Sequence, residues 1–200
     1  LEDRLLAYRP GWVLRVVNDR VIHDILLRGG MDRFQPVGTM KGIEGPDAPF
    51  LDEHSQFARF ILFEVFDYTH SLMRRQERNR RAELAMQSLQ ALLLDYQSLL
   101  ASRGTGFTLV VQPYNKEVVR LEYQRLGDLS AFARQHGIHV IDTVHYLSRK
   151  LAEHDGRLEA LYWPIDAHFT ELGYRYFAEA VGQGLQGELQ RALPAGKAQD

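Results

Sequence analysis

Residues 104–142 read GTGFTLVVQPYNKEVVRLEYQRLGDLSAFARQHGIHVID, and the change of pattern along this stretch decides the fold. Phe107-Thr108-Leu109-Val110-Val111 is short, apolar and rich in β-branched residues. Gly104 and Gly106 read as the stop of the helix before it and Pro113 closes it, which predicts a buried strand. Helical spacing then carries the chain to about Gln135. A break is expected at Gly127, with Asp128 as the cap of the second part. Gly137 stops the helix, and Ile138-His139-Val140-Ile141 reads as another short strand. Asp142 reads as the N-cap of a helix running to about Glu153. Strand, helix, strand, helix is the pattern of a parallel α/β sheet, because two parallel strands must be joined by a crossover.

Working outward, Trp12-Val13-Leu14-Arg15-Val16-Val17 predicts a third buried strand, set between Pro10-Gly11 and Asn18-Asp19. Residues 28–55 form a long stretch with five glycines and three prolines, read as an irregular and functional or mobile loop. Residues 55–102 read as helical, with one apolar stripe through Phe57, Ile61, Val65, Tyr68 and Leu72 and another through Leu89, Leu92, Leu93, Tyr96, Leu99 and Leu100. The charged run at 74–81 between them reads as a solvated turn or helix face, with a patch for acidic substrates as the alternative. Tyr162-Trp163 is expected to be extended. A last helix should run from Glu171 to about Leu193, with Thr170 as its cap and Gly173 allowing close packing on a neighbour.

The bulk numbers narrow the classes. The 200 residues suit one domain, 45% apolar and 25% charged residues are ordinary for a globular chain, and the net charge is −2. That balance gives no general electrostatic attraction for nucleic acid or anionic membrane. With no cysteine, disulfides, thiol catalysis and cysteine-based zinc sites are excluded. No run is apolar and long enough to be a transmembrane span. No signal peptide is visible, and no compartment is assigned on that ground because the sequence opens at Leu1. Three strands make a thin sheet with two open edges. The expectation is one domain over residues 1–193 that lacks its N-terminal strands, followed by a frayed tail at 194–200.

The residue pair that carries chemistry is Asp166 and His168. In extended chain, residues two apart face one side, so the carboxylate and the imidazole would meet one cleft. A carboxylate beside an imidazole sets its tautomer and stabilises its charged form. The plain alternative is an acidic residue ahead of a helix and a surface histidine. Asn18 and Asp19 directly follow an apolar strand, at the end where ligands bind in open α/β sheets. An amide there can donate to a developing oxyanion, or simply serve a turn. Tyr162 and Trp163 can line an acyl or sugar pocket or pack in the core. Tyr114 and Asn115 sit at the same sheet end. Asp142, His145, His136 and His139 do not form an evident three-ligand metal site, and capping accounts better for Asp142.

Two blocks together resemble the SGNH, or GDSL-type, hydrolase superfamily: Val16-Val17-Asn18-Asp19, and Ile165-Asp166-Ala167-His168-Phe169-Thr170-Glu171-Leu172-Gly173. The segments Leu109-Val110-Val111-Gln112-Pro113 and Gly137-Ile138-His139-Val140-Ile141-Asp142 are similar to the family's middle. The spacing of the late block is closer to the subgroup with carbohydrate O-acetyl esterases and polysaccharide acetylation proteins. The resemblance implies a three-layer α/β/α, flavodoxin-like parallel sheet and a Ser-His-Asp triad. In it His168 is the general base, Asp166 its orienting partner and Asn18 an oxyanion-hole donor. It implies no cofactor and no metal, and an ester or acetylated carbohydrate as substrate. Val17 stands where the family usually has glycine. The family's serine block precedes the strand matching 12–17, and here Leu1–Gly11 contain no serine. Ser55, Ser71, Ser88, Ser98, Ser102, Ser130 and Ser148 all lie in or beside helical pattern, and none sits on a nucleophile elbow. The nucleophile is therefore expected in a segment outside this sequence, with this chain alone inactive. The competing reading is a non-catalytic module that docks partners through the helices at 55–102.

Overall fold

A computed structural model of the chain describes residues 8–19, 21, 55, 57, 75–123, 125–165 and 168–192. The loop expected at 28–55 except Ser55, most of the helical pattern at 55–74, Asp166 and the tail at 194–200 lie outside the described residues. The chain divides into two compact units, Leu1–Asp19 with Gln90–Asp200, and Arg20–Leu89. In the second unit the description covers chiefly the first part of helix α1, Arg75–Ala101. There Ala82, Ala85 and Leu89 are buried at helical spacing while Asn79 and Arg80 of the charged run are exposed, so residues 75–81 of the run are part of a helix.

The first unit is mixed α/β. Its strands β1 (Trp12–Val17), β2 (Gly106–Val111) and β3 (His139–Asp142) form one sheet in the order β1-β2-β3. All pairs are parallel, with Trp12 opposite Gly106, Val17 opposite Val111 and Val111 opposite Asp142. Between β2 and β3 run α2 (Asn115–Arg120) and α3 (Leu126–Gln135). After β3 come α4 (Val144–Ala152), a 3-10 turn at Leu158–Ala160 and α5 (Glu171–Ala192). Among the described residues, no helix is long and apolar enough to cross a membrane.

Five local expectations are corrected. Among the described residues β2 is the strand that pairs with β1, and β1 is not buried throughout: Val17 is buried, but Leu14 and Val16 are each 41% exposed. The break in the helical stretch falls at 121–125, where Leu121 turns left-handed with φ 56°, and Gly127 and Asp128 lie within α3. β3 starts one residue late, at His139. Asp142 ends that strand and Thr143 takes the cap position of α4, although the Asp142 carboxylate still accepts the Val144 N–H at 3.1 Å.

Gly106 is not a helix stop but the first residue of β2. A Cβ there would lie 2.1 Å from the Trp12 ring, so the missing side chain is what lets the indole cross the strand. The indole N–H then donates to Thr108 Oγ1 at 2.9 Å, satisfying a buried hydroxyl. The sheet end carrying Val17, Val111 and Asp142 is tied by two further bonds. Gln112 N–H donates to Val17 O at 2.8 Å, and Thr143 Oγ1 donates to Val111 O at 2.8 Å.

One buried cluster of the first unit is Val118, Val144, Leu147, Leu151, Leu161, Tyr162 and Phe169. It joins α2, α4 and the approach to α5. Val144, Leu147 and Leu151 lie on one side of α4 by the i, i+3, i+7 rule. α5 reaches this layer because Gly173 and Gly184 leave room. A Cβ at Gly173 would lie 2.1 Å from Leu161 O, and one at Gly184 would lie 2.8 Å from Ile141 Cγ1 of β3. The close packing expected at Gly173 is present.

Candidate functional site

The block that carries His168 is a small, tightly held hairpin. Tyr162 and Phe169 form an antiparallel bridge, Trp163 N–H donates to His168 O at 2.8 Å, and Thr170 N–H donates to Leu161 O at 2.9 Å. The extended conformation expected for Tyr162-Trp163 is thus produced by pairing with the residues just before α5. Tyr162 and Phe169 point inward, both nearly fully buried, with ring centroids 4.8 Å apart. Side chains alternate along such a pair, so Trp163 and His168 turn outward, and both are exposed. The sequence left Tyr162 and Trp163 open between pocket and core. The fold divides them: Tyr162 is core and Trp163 is surface.

The hairpin is fastened at its base to the carboxyl end of β2. Tyr162 hydroxyl donates to Pro113 O at 3.0 Å. Burial, with the charge of Glu117 adding to it, holds this phenol far above its ordinary titration range, so it remains a donor. At its exit Thr170 caps α5: Oγ1 accepts the Gly173 N–H at 3.1 Å and donates to Ala160 O at 2.7 Å. Thr170→Ala removes both bonds and is expected to cost about 1–2 kcal/mol of stability. Urea denaturation of the two proteins checks this, and equal midpoints would mean that the cap contributes nothing.

Asn18 follows β1 directly and stands, partly buried, at the same carboxyl edge of the sheet. Next to it, Asp19 Oδ1 is shut off from solvent without a hydrogen-bond partner. Val17 pairs with Val111, and the Tyr162 hydroxyl bonds to Pro113 O just after β2, so the base of the hairpin is fastened toward the sheet end that Asn18 follows. Asp166 lies outside the described residues.

Other residues noted in the sequence have local roles. Tyr114 N–H donates to Glu117 Oε2 at 2.7 Å at the start of α2, and Asn115 Oδ1 accepts the Lys116 N–H. Asp142 accepts the Tyr123 hydroxyl at 2.5 Å. Burial first, and this carboxylate second, raise the Tyr123 phenol far above its ordinary range. Sequence reasoning missed Tyr123 and Glu117, because a tyrosine in a turn and a glutamate on a short helix carry no pattern of their own. His136 Nδ1 lies 2.9 Å from Phe132 O, and His139 Nδ1 lies 3.1 Å from Thr108 Oγ1, so these rings are held apart. Among the described residues, no three metal-ligating side chains converge.

Ser88, Ser98, Ser130 and Ser148 lie inside helices, and Ser102 sits in the turn after α1, where its hydroxyl donates to Leu99 O. None of these stands on a strand-to-helix elbow. Three comparisons with known proteins complete the picture: no family model, no curated protein and no solved structure matches the chain.

Proposed function

We propose that this chain is the base-bearing part of a serine-type ester hydrolase of the SGNH type. The observation that carries the reading is the pinned hairpin, which carries an exposed His168 and is bonded through Tyr162 to Pro113, just past the carboxyl end of β2, whose neighbour β1 is followed by Asn18. The architecture fits as well. Tyr96 of α1 stacks on Phe107, while Gly184 of α5 meets Ile141. Alternation puts Phe107 and Ile141 on opposite faces, which supports a three-layer α/β/α arrangement.

In this reading a serine outside residues 1–200 attacks the ester carbonyl. His168 takes the serine proton and returns it to the departing alcohol, Asp166 orients the imidazole, and the Asn18 amide donates to the oxyanion. Water then releases the acyl group, or a sugar hydroxyl takes it if the protein is a transferase. No cofactor enters. The second reading is a non-catalytic interaction module, favoured by the absence of an elbow serine among the described residues.

Labelling of the complete gene product with a fluorophosphonate separates the two. The expected result is one labelled serine, outside residues 1–200, whose labelling slows at least a hundredfold in the His168→Ala variant. No labelled serine, or a labelled serine on one of the helices described above, would leave the module as the better reading.

A further inference from the structure

A row of polar side chains crosses the sheet toward its amino end and joins four elements. The Trp12 indole N–H of β1 donates to Thr108 Oγ1 of β2 at 2.9 Å, Thr108 Oγ1 lies 3.1 Å from His139 Nδ1 of β3, and His139 Nε2 lies 4.0 Å from Glu188 Oε1 of α5. Register sets Thr108 opposite His139. Alternation puts His139 on the face of Ile141, which meets Gly184 one turn before Glu188. What each group can donate fixes the direction of the protons. An indole only donates, so Thr108 Oγ1 accepts from Trp12. Thr108 is fully buried, and its own proton needs an acceptor. Among the described residues that acceptor is His139 Nδ1. The neutral ring therefore carries its proton on Nε2, toward Glu188. Hydroxyl, imidazole and carboxylate in a row is also the order of a hydrolase triad. A hydroxyl without solvent exposure meets no substrate, however, so Thr108 is not a second nucleophile.

We propose that His139 makes this row a pH-sensitive latch on β1: protonation of the ring reverses its link to Thr108 and loosens the hold on Trp12, while Nε2 keeps facing Glu188. The ring is partly open to water, so a proton reaches it. Taking up a second proton turns Nδ1 from acceptor to donor. That N–H competes with the Trp12 indole for Thr108 Oγ1, and the buried hydroxyl proton loses its acceptor. Bonds in such a row polarise one another, so a loss at one link weakens the next. The effect falls on β1, whose Leu14 and Val16 are already open to water. Three elements pack against β3. α5 brings the Glu188 carboxylate, and β2 brings the uncharged Thr108. α3, which leads into β3, ends with Arg134 and His136, both exposed, and His136 Nδ1 lies 2.9 Å from Phe132 O. Among the described residues the polar partners of the His139 ring are Thr108 and Glu188. The latch is independent of the part assigned to His168.

The chain has two tryptophans and eight histidines, few enough for NMR of the chain with isotope-labelled tryptophan and histidine. Nitrogen shifts read which ring nitrogen of His139 carries the proton, and the indole N–H signal reads the Trp12 bond. The expected result at neutral charge is a proton on Nε2. As the pH falls from about 8 to about 5, the range in which histidine takes up charge, the Trp12 signal should move upfield, as a weakened hydrogen bond does. Its curve and that of the His139 ring should share one midpoint. In His139→Gln, whose amide oxygen replaces Nδ1 as acceptor, the Trp12 signal should stay flat. Trp163, whose N–H bonds to His168 O, is the internal comparison and should respond alike in both proteins. A neutral His139 protonated on Nδ1, a Trp12 signal that does not move in the wild-type chain, or one that still moves in His139→Gln overturns the latch. The first two outcomes need no variant, so they hold even where a substitution disturbs the fold.

Discussion

In the complete gene product, His168→Ala is expected to slow p-nitrophenyl acetate hydrolysis by about 10²–10⁴-fold, the scale of a general base. The loss should fall on kcat more than on KM, because the imidazole acts on a proton in flight and offers an activated acetate little ground-state contact. The protein should stay folded. His168 is exposed, and its carbonyl, which accepts the Trp163 N–H, survives the substitution. Initial rates beside a urea denaturation curve give both numbers. Equal rates in the two proteins would remove His168 from the mechanism and leave the docking module. Residues 1–200 alone should show only residual turnover of the kind that persists when a nucleophile is missing.

Phe169→Ala is expected to cost about 3–5 kcal/mol of stability, the range for emptying a buried aromatic site. The ring is nearly fully buried and packs on Tyr162, Tyr174 and Phe177 at centroid distances of 4.8, 5.4 and 5.5 Å. Its loss undercuts the hairpin and the first turns of α5 together, since Phe169 sits between His168 and the Thr170 cap. Phe169→Leu fills most of the space and should cost about 1 kcal/mol. Urea midpoints of the three proteins order them. A loss below about 1 kcal/mol for the alanine variant would show that the hairpin does not depend on this ring. Under conditions where Phe169→Ala is still folded, its hydrolysis rate should fall as well, because a displacement of about 1 Å in a catalytic group costs roughly 10²-fold.

The strands were legible from residues alone, because a short apolar run between glycine, proline or asparagine has few other ways to bury itself. Trp12–Val17, Gly106–Val111 and His139–Asp142 fall within a residue of their expected bounds. The cap at Thr170 and the close approach at Gly173 were legible for the same local reason: a hydroxyl three residues before an orphan N–H, and a glycine on an otherwise apolar stripe. The break between α2 and α3 was misplaced at Gly127. Glycine is the obvious signal for a break, yet Leu121 takes the left-handed conformation instead, at a cost that only surrounding packing can offset.

What no local pattern decides is which side of an element meets solvent. Trp12–Val17 is as apolar as Gly106–Val111, but among the described residues only the second has a strand on each side, and exposure of Leu14 and Val16 follows that sheet order. Tyr162 and Trp163 are adjacent aromatics with the same reading until pairing with His168 and Phe169 sends one inward and the other out. Tyr123 and Asp142 lie 19 residues apart and meet only because α2 and the turn after it return to the end of β3. Strand, helix and cap depend on neighbours within a few residues, so the chain specifies them locally. Edges, faces and long-range hydrogen bonds depend on how separate elements share one core, and there the tertiary fold decides.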